Sequence, residues 1–220
     1  MKLPVIIVNF KVYQEATGEN ALKLARIHDE VAAETGASIG IAVNAVDLVN
    51  VIGTVKIPVF AQHVDHTGYG SWTGKVLAEQ VKAVGCYGTL LNHAEYQIGN
   101  EELEQSVKKC HELGLFVIAC AETPARAAEV KKFEPDLIAV EPPDLIGGDI
   151  SVSRAEPGVI VEAVKIAGQG RLLVGAGVKS GEDVKIALQL GASGVLLASG
   201  VIKADDPKKA LLDIVKGLDF

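Results

Sequence analysis

The sequence predicts an α/β fold, a (β/α)8 barrel in which eight parallel strands close on themselves and are ringed by helices. Three observations predict it. Eight short, almost wholly apolar runs recur along the 220 residues, amphipathic stretches separate them, and glycines stand at the helix-to-strand handovers. Continuous apolar runs suit parallel strands covered on one face by helices and on the other by a barrel interior. Eight β-then-α units without a linker make one closed domain over residues 1–220. An open doubly wound sheet is the structural alternative, but no glycine-rich dinucleotide fingerprint follows the first strand.

Taken in order, the strands are read at Val5–Val8, Ile39–Val43, Val59–Gln62, Thr89–Leu91, Phe116–Ala119, Leu137–Val140, Leu172–Val174 and Val195–Leu197. The first helix carries the stripe Ala21, Leu22, Leu24, Ala25, Ile27 and Val31, with Lys23, Arg26, Asp29 and Glu30 mostly off it. Further stripes run through Leu103–Leu113, Ala125–Val130, Val159–Ala167, Val184–Leu190 and Ala210–Leu218. Gly36, Gly85, Gly114 and Gly191 sit where a left-handed helix C-cap is wanted. Thr123-Pro124 and Asp206-Pro207 read as helix starts with proline at the first position.

An internal echo accompanies the pattern. Gly85-Cys86-Tyr87-Gly88-Thr89-Leu90-Leu91 matches Gly191-Ala192-Ser193-Gly194-Val195-Leu196-Leu197, 106 residues on. Shared packing at helix-to-strand junctions explains it as well as duplication does. The longest irregular stretch, His63–Gly74, is read as an arm that docks on a second subunit.

Composition narrows the function. A formal charge of −7 leaves no basic stripe for nucleic acid. No run of about 18 apolar residues offers a membrane span. Cys86, Cys110 and Cys120 are too scattered for a disulfide framework or a metal motif, and the start of the chain shows no cleavable leader, so a cytoplasmic location is expected.

Active sites of such barrels lie at the carboxyl ends of the strands. There the chain delivers Asn9 and Lys11 after strand one, Asn92 and His93 after strand four, and Glu141 after strand six. Gly175-Ala176-Gly177 follows strand seven, and Ala198-Ser199-Gly200 follows strand eight. A carboxylate base, an imidazole and a lysine make a proton-transfer site for an anionic substrate. Gly177 and Ser199-Gly200, with Ala198 beside them, fall where the loops after strands seven and eight commonly build a phosphate site from backbone N–H groups. His93 is read as preceding a helix start at Ala94-Glu95, whose dipole disfavours a charged imidazole. Cys120, at the end of an apolar strand, reads as core.

Asn9-Phe10-Lys11, His93-Ala94-Glu95, Val140-Glu141-Pro142 with Ile146-Gly147, Gly70-Ser71-Trp72-Thr73-Gly74 and Ile118-Ala119-Cys120 together resemble the triosephosphate isomerase family, the type of the TIM barrel. The short length, Leu145-Ile146-Gly147-Gly148 and Gly175-Ala176-Gly177 resemble its compact archaeal branch. The resemblance covers essentially the whole chain. It implies an isomerase of triose phosphates in glycolysis and gluconeogenesis, with no cofactor and no metal. Glu141 is then the base, His93 the neutral electrophile, Lys11 the charge stabiliser and Asn9 the group that orients a substrate oxygen. Ile146 would contact substrate within a lid over about Pro142–Val152. A homodimer or homotetramer is implied, with contacts around Thr73 and Gly74. Departures from the family pattern are Phe10, Ala94, Tyr96, Gln97 and the lid sequence. Glu95 is expected as a buried supporting or interface carboxylate.

Two other readings stay open at this level. His63, Asp65 and His66 have the spacing of a metal cluster for a sugar-phosphate epimerase. A barrel that binds triose phosphate without turnover is the non-enzymatic reading.

Overall fold

The computed structural model describes residues 1–145 and 151–218. Eight parallel strands form a closed barrel in sequence order: β1 (Val5–Asn9), β2 (Ser38–Val43), β3 (Val59–Ala61), β4 (Gly88–Leu91), β5 (Phe116–Ala121), β6 (Leu137–Val140), β7 (Leu172–Val174) and β8 (Gly194–Leu197). β8 pairs back on β1, with Val5 opposite Gly194. Every strand lies within two residues of its expected bounds.

Around the sheet run α1 (Glu19–Thr35), α2 (Leu48–Ile52), α3 (Ala78–Ala83), α4 (Asn100–Glu112), α5 (Pro124–Val130), α6 (Val152–Ala155), α7 (Pro157–Ala167), α8 (Gly181–Gln189), α9 (Ser199–Ile202) and α10 (Pro207–Lys216). The sequence stripes missed α2 and α3, which are too short to display an apolar period. Among the described residues no helix is long and apolar enough to cross a membrane. Thr123 and Asp206 cap their helices as expected, accepting from Arg126 N and Lys209 N. In α1 the buried face includes His28 rather than Ile27. Its Nδ1 meets Leu24 O at 2.7 Å, its ring lies against Phe10, and complete burial lowers its pKa from 6.5 to about 4.

Strand alternation sorts the apolar residues into two layers. Val5, Ile7, Ala42, Phe60, Leu90, Ile118, Leu137, Ala139, Leu173 and Leu196 plug the barrel. Ile6, Val8, Ile41, Val43 and Leu91 face the helices. The plug is tight: a Cβ on Gly40 would sit 3.0 Å from Ile7 Cδ1 and 3.1 Å from Phe60 Cε2.

The echo has a physical origin. Tyr87 N–H donates to Val59 O while its carbonyl accepts from Phe116 N, and Ser193 repeats this with Leu172 O and Val5 N. Gly88 and Gly194 then cross their neighbouring strands so closely that a Cβ would lie 2.0 Å from Phe116 O and Val5 O respectively. Each glycine begins a strand at one of two equivalent junctions on opposite halves of the barrel.

The 63–74 arm is folded on itself. Asp65 forms an isolated bridge with Leu77 and accepts from Val76 N (2.7 Å) and Lys75 Nζ (2.8 Å). Burial pushes the Asp65 carboxyl up, but these bonds and the neighbouring His63 more than offset it, leaving the pKa below the ordinary value. Lys109 Nζ braces the arm from α4 through Thr67 O. At its tip Tyr69 is 75% exposed and Trp72 50%.

Candidate active site

The alternation that fills the barrel also selects what stands at its mouth. Continuing the inward positions carries Val5 and Ile7 to Asn9, Phe60 to Gln62, Leu90 to Asn92, Leu137 and Ala139 to Glu141, and Leu196 to Ala198. Three mouth residues have positive φ without being glycine, Lys11 (50°), Asn92 (56°) and Ala176 (71°). Such backbone costs about 1–3 kcal/mol per residue, so tertiary contacts must hold it. Asn92 is held by its Nδ2 on Cys120 O (2.9 Å) and by Ile98 N on its Oδ1 (3.1 Å). Its left-handed turn redirects the next residue, His93, into the mouth.

Asn9, Lys11, His93 and Glu141 line one cleft. Gly177, Ala198 and Ser199 line its other wall. Ile146 and the rest of 146–150, the middle of the expected lid, fall outside the described residues; on either side are a 3-10 turn at Pro143–Leu145 and α6. A larger depression, about 1010 Å³, lies at the opposite end of the barrel beside Tyr87, Phe116 and Asp136. It holds an exposed ion pair, His111 Nε2 3.2 Å from Asp136 Oδ2, with Lys56 and Lys82 in its lining. It lies at the amino ends of the strands, however, whereas barrel chemistry sits at the carboxyl ends, so the mouth is the better chemical site.

His93 Nε2 lies 3.5 Å from Glu141 Oε2, a contact longer than a normal hydrogen bond. The backbone N–H of Glu95 donates to His93 Nδ1 at 3.2 Å. That bond requires a lone pair on Nδ1, which assigns a neutral ring with its proton on Nε2. The expected helix start at Ala94-Glu95 is absent: residues 93–96 make a single turn closed by Tyr96 N on His93 O, and α4 begins only at Asn100. The hydrogen bond from Glu95, rather than a helix dipole, selects the neutral ring.

Glu141 is buried, and its Oε2 has no hydrogen-bond partner among the described residues. Space for its side chain comes from Gly175, where a Cβ would lie 2.3 Å from Glu141 Cγ. Beneath it the Cys120 thiol is fully buried; burial and the Glu141 carboxylate push its pKa well above the ordinary value, so it is core rather than nucleophile.

Lys11 Nζ contacts Glu95 Oε1 at 2.6 Å. The Glu95 side chain is 56% exposed in the single chain, so of the two expected roles it does not fill that of a carboxylate buried within one chain. Asn9 Oδ1 accepts from Lys11 N (3.0 Å) and from Gln62 Nε2 (3.2 Å), which leaves the Asn9 amide to donate. From sequence Gln62 is only a strand residue and Gly175 only part of the loop after strand seven, neither with a role at the site. Both were findable by continuing the inward alternation of β3 and β7.

Of the suggested metal cluster, His63 Nε2 lies 3.4 Å from Asp65 Oδ1, but the three residues do not converge. Asp65 belongs to the arm's neck, His66 Nδ1 lies 3.4 Å from Glu102 Oε1, and His63 packs edge-on to Tyr96. Among the described residues no three His, Cys, Asp or Glu side chains converge as a metal site.

Beyond the cleft a buried carboxylate, Asp183, gathers donors from two segments. Oδ1 accepts from Ser151 Oγ (2.8 Å) and Arg154 Nε (2.7 Å). Oδ2 accepts from Lys179 N (3.1 Å), Ser180 N (3.0 Å) and Ser180 Oγ (2.8 Å). Burial pushes this carboxyl up, and the hydrogen bonds outweigh it, so the pKa stands below the usual value.

Comparison with known proteins agrees with this geometry. The family model described as triosephosphate isomerase matches residues 4–218. A triosephosphate isomerase of Methanobacterium bryantii is 45% identical over 216 residues, covering 96% of this chain and 96% of that protein. One from Methanocaldococcus jannaschii is 46% identical, covering 96% and 99%. One from Methanopyrus kandleri is 46% identical over 225 aligned positions, covering 100% of both.

Proposed function

The chain belongs to the triosephosphate isomerase family and interconverts dihydroxyacetone phosphate and D-glyceraldehyde 3-phosphate, and we propose that Glu141 and His93 carry the proton transfers. One observation supports this most directly: a buried carboxylate lies 3.5 Å from an imidazole nitrogen that the Glu95 N–H, acting at the far side of the ring, requires to be protonated.

Glu141 removes a proton from the carbon beside the carbonyl and returns it to the neighbouring carbon, so one carboxylate acts first as base and then as acid. Negative charge meanwhile builds on the carbonyl oxygen. The His93 Nε2–H donates to that oxygen and gives it a proton, then recovers one from the neighbouring hydroxyl, which becomes the new carbonyl as Glu141 reprotonates carbon. Lys11 adds its positive charge, and the Asn9 amide fixes the oxygen's position. The phosphate lies against the backbone of Gly177, Ala198 and Ser199. Their N–H groups supply local donors in a protein whose overall charge of −7 repels the substrate. No step needs a metal or an organic cofactor.

The arm at 63–74 docks on a second copy of the chain, giving a homodimer or, by further association, a homotetramer. Exposed Tyr69 and Trp72 at its tip, together with Val12 and Val46 on neighbouring loops, support this. A cytoplasmic location is in keeping with three free thiols.

The test is turnover of glyceraldehyde 3-phosphate after EDTA treatment, beside Glu141→Gln. Metal-independent isomerisation that falls by about 10²–10⁴ in the variant supports the assignment. Binding of triose phosphate without turnover in the unsubstituted protein would leave a sensing barrel instead. Activity restored only by a divalent ion would return attention to His63, Asp65 and His66.

A further inference from the structure

We propose that Asp183 is a positioning residue for the substrate phosphate: it clamps the 151–154 segment to the loop after β7 and thereby orients the Gly177 N–H. The proposal rests on the reading that Gly177 binds phosphate.

A helix cap needs one or two acceptors, and Ser180 with Asp183 already forms a reciprocal capping box on α8. Asp183 holds more than that. Ser151 and Arg154, some thirty residues upstream, donate to the oxygen that the cap does not use. Ser153 Oγ donates to the Asp183 backbone carbonyl at 3.2 Å and lies 2.9 Å from Ser151 Oγ. Side chain and main chain of one residue therefore fix the 151–154 segment at three points.

The clamp continues to the cleft. Val152, between the two serines, donates its N–H to Ala176 O at 3.3 Å. Ala176 has a φ of 71°, backbone that a side chain adopts only under constraint. The carbonyl of Ala176 shares a planar trans peptide with the N–H of Gly177, so the two point to opposite sides. Drawing the carbonyl toward Val152 sends the Gly177 N–H the other way, and Gly177 lines the cleft. Loosening Asp183 frees that peptide to rotate. Among the described residues none of the clamp's hydrogen bonds ends on Glu141 or His93, and the peptide it orients lies beyond Gly175 on the phosphate side, so the effect should follow the phosphate more than the carbon chemistry.

The experiment compares the intact protein with Asp183→Asn and Ser151→Ala. It reads inhibition by inorganic phosphate, KM for glyceraldehyde 3-phosphate, and turnover of unphosphorylated D-glyceraldehyde. In Asp183→Asn, phosphate inhibition weakens and KM rises by about tenfold, the size of one hydrogen bond to a charged group. Turnover of D-glyceraldehyde stays within about twofold, because only binding of the phosphate has changed. Ser151→Ala leaves the cap intact and shifts the same two quantities by about threefold, in proportion to one neutral donor lost. Equal losses on both substrates, or unaltered phosphate inhibition, overturn the proposal. If Asp183→Asn does not fold, Ser151→Ala decides by the same readings. Failure of the parent reading looks different: inorganic phosphate would then fail to inhibit the unsubstituted protein at all.

Discussion

Gly175 and Glu141 occupy one space: the position of a Cβ on Gly175 lies 2.3 Å from Glu141 Cγ and 2.6 Å from its Oε1. The glycine at the end of β7 is therefore what allows a carboxylate at the end of β6 to lie inside the mouth. Its φ is not in the left-handed region, so a side chain there meets no backbone strain, only Glu141.

Gly175→Ala should therefore act through Glu141 alone. Displacing a base by about 1 Å costs on the order of 10²-fold in rate, while local overpacking costs about 1–3 kcal/mol of stability. Steady-state kinetics beside thermal melting separate the two. A folded variant with full activity would show that Glu141 tolerates another position.

His28 should make the fold acid-sensitive. Its folded pKa of about 4 lies below the ordinary 6.5, so between those values the unfolded chain takes up a proton that the folded chain refuses. Stability is complete above pH 6.5 and falls as the pH drops toward 4, by about 3 kcal/mol from this group. Replacing it by phenylalanine, which preserves the packing on Phe10, should flatten that part of the profile. Urea unfolding at pH 7 and pH 4.5 measures the difference; parallel profiles for the two proteins would refute the attribution.

The arm at 63–74 should depend on Asp65. Asp65→Ala removes the acceptor for Val76 N–H and Lys75 together, a loss of about 1–3 kcal/mol. Amide exchange across the arm should quicken and self-association, read by sedimentation, should weaken. Unchanged exchange would mean that the Lys109 brace suffices.

The cysteines should be silent in the native protein. Burial pushes the Cys86 and Cys110 thiols up to about 12, and Cys120 is raised by burial and by Glu141. A thiol-disulfide reagent at pH 8 should label none of the three before unfolding and all of them in guanidinium. Native labelling of Cys120 would imply an opening beneath the Glu141 carboxylate.

Much of this was legible in the chain because apolar alternation and glycine punctuation are local signals. The strand bounds, the caps at Thr123 and Asp206, and the convergence of Asn9, Lys11, His93 and Glu141 all follow from them. What stayed hidden depends on residues far apart in sequence. The room for Glu141 comes from a different strand, and the neutral ring of His93 comes from a turn that resembles a helix start in sequence. Glu95 reads as a buried carboxylate until Lys11 is seen drawing it across the open mouth. Asp183 reads as an ordinary capping residue until Ser151 and Arg154 are seen to share it.

The two-layer alternation has one more consequence. On β1 and β6 the same side supplies both the plug and the group at the mouth, Val5 and Ile7 leading to Asn9 and Leu137 and Ala139 to Glu141. If either strand slips by one residue, it turns its apolar side chains away from the plug and its polar group away from the mouth in the same motion. An inactive barrel produced by misregister is thus also an unstable one, open to proteolysis. The stability of the plug and the placement of Asn9 and Glu141 at the mouth are therefore kept or lost together.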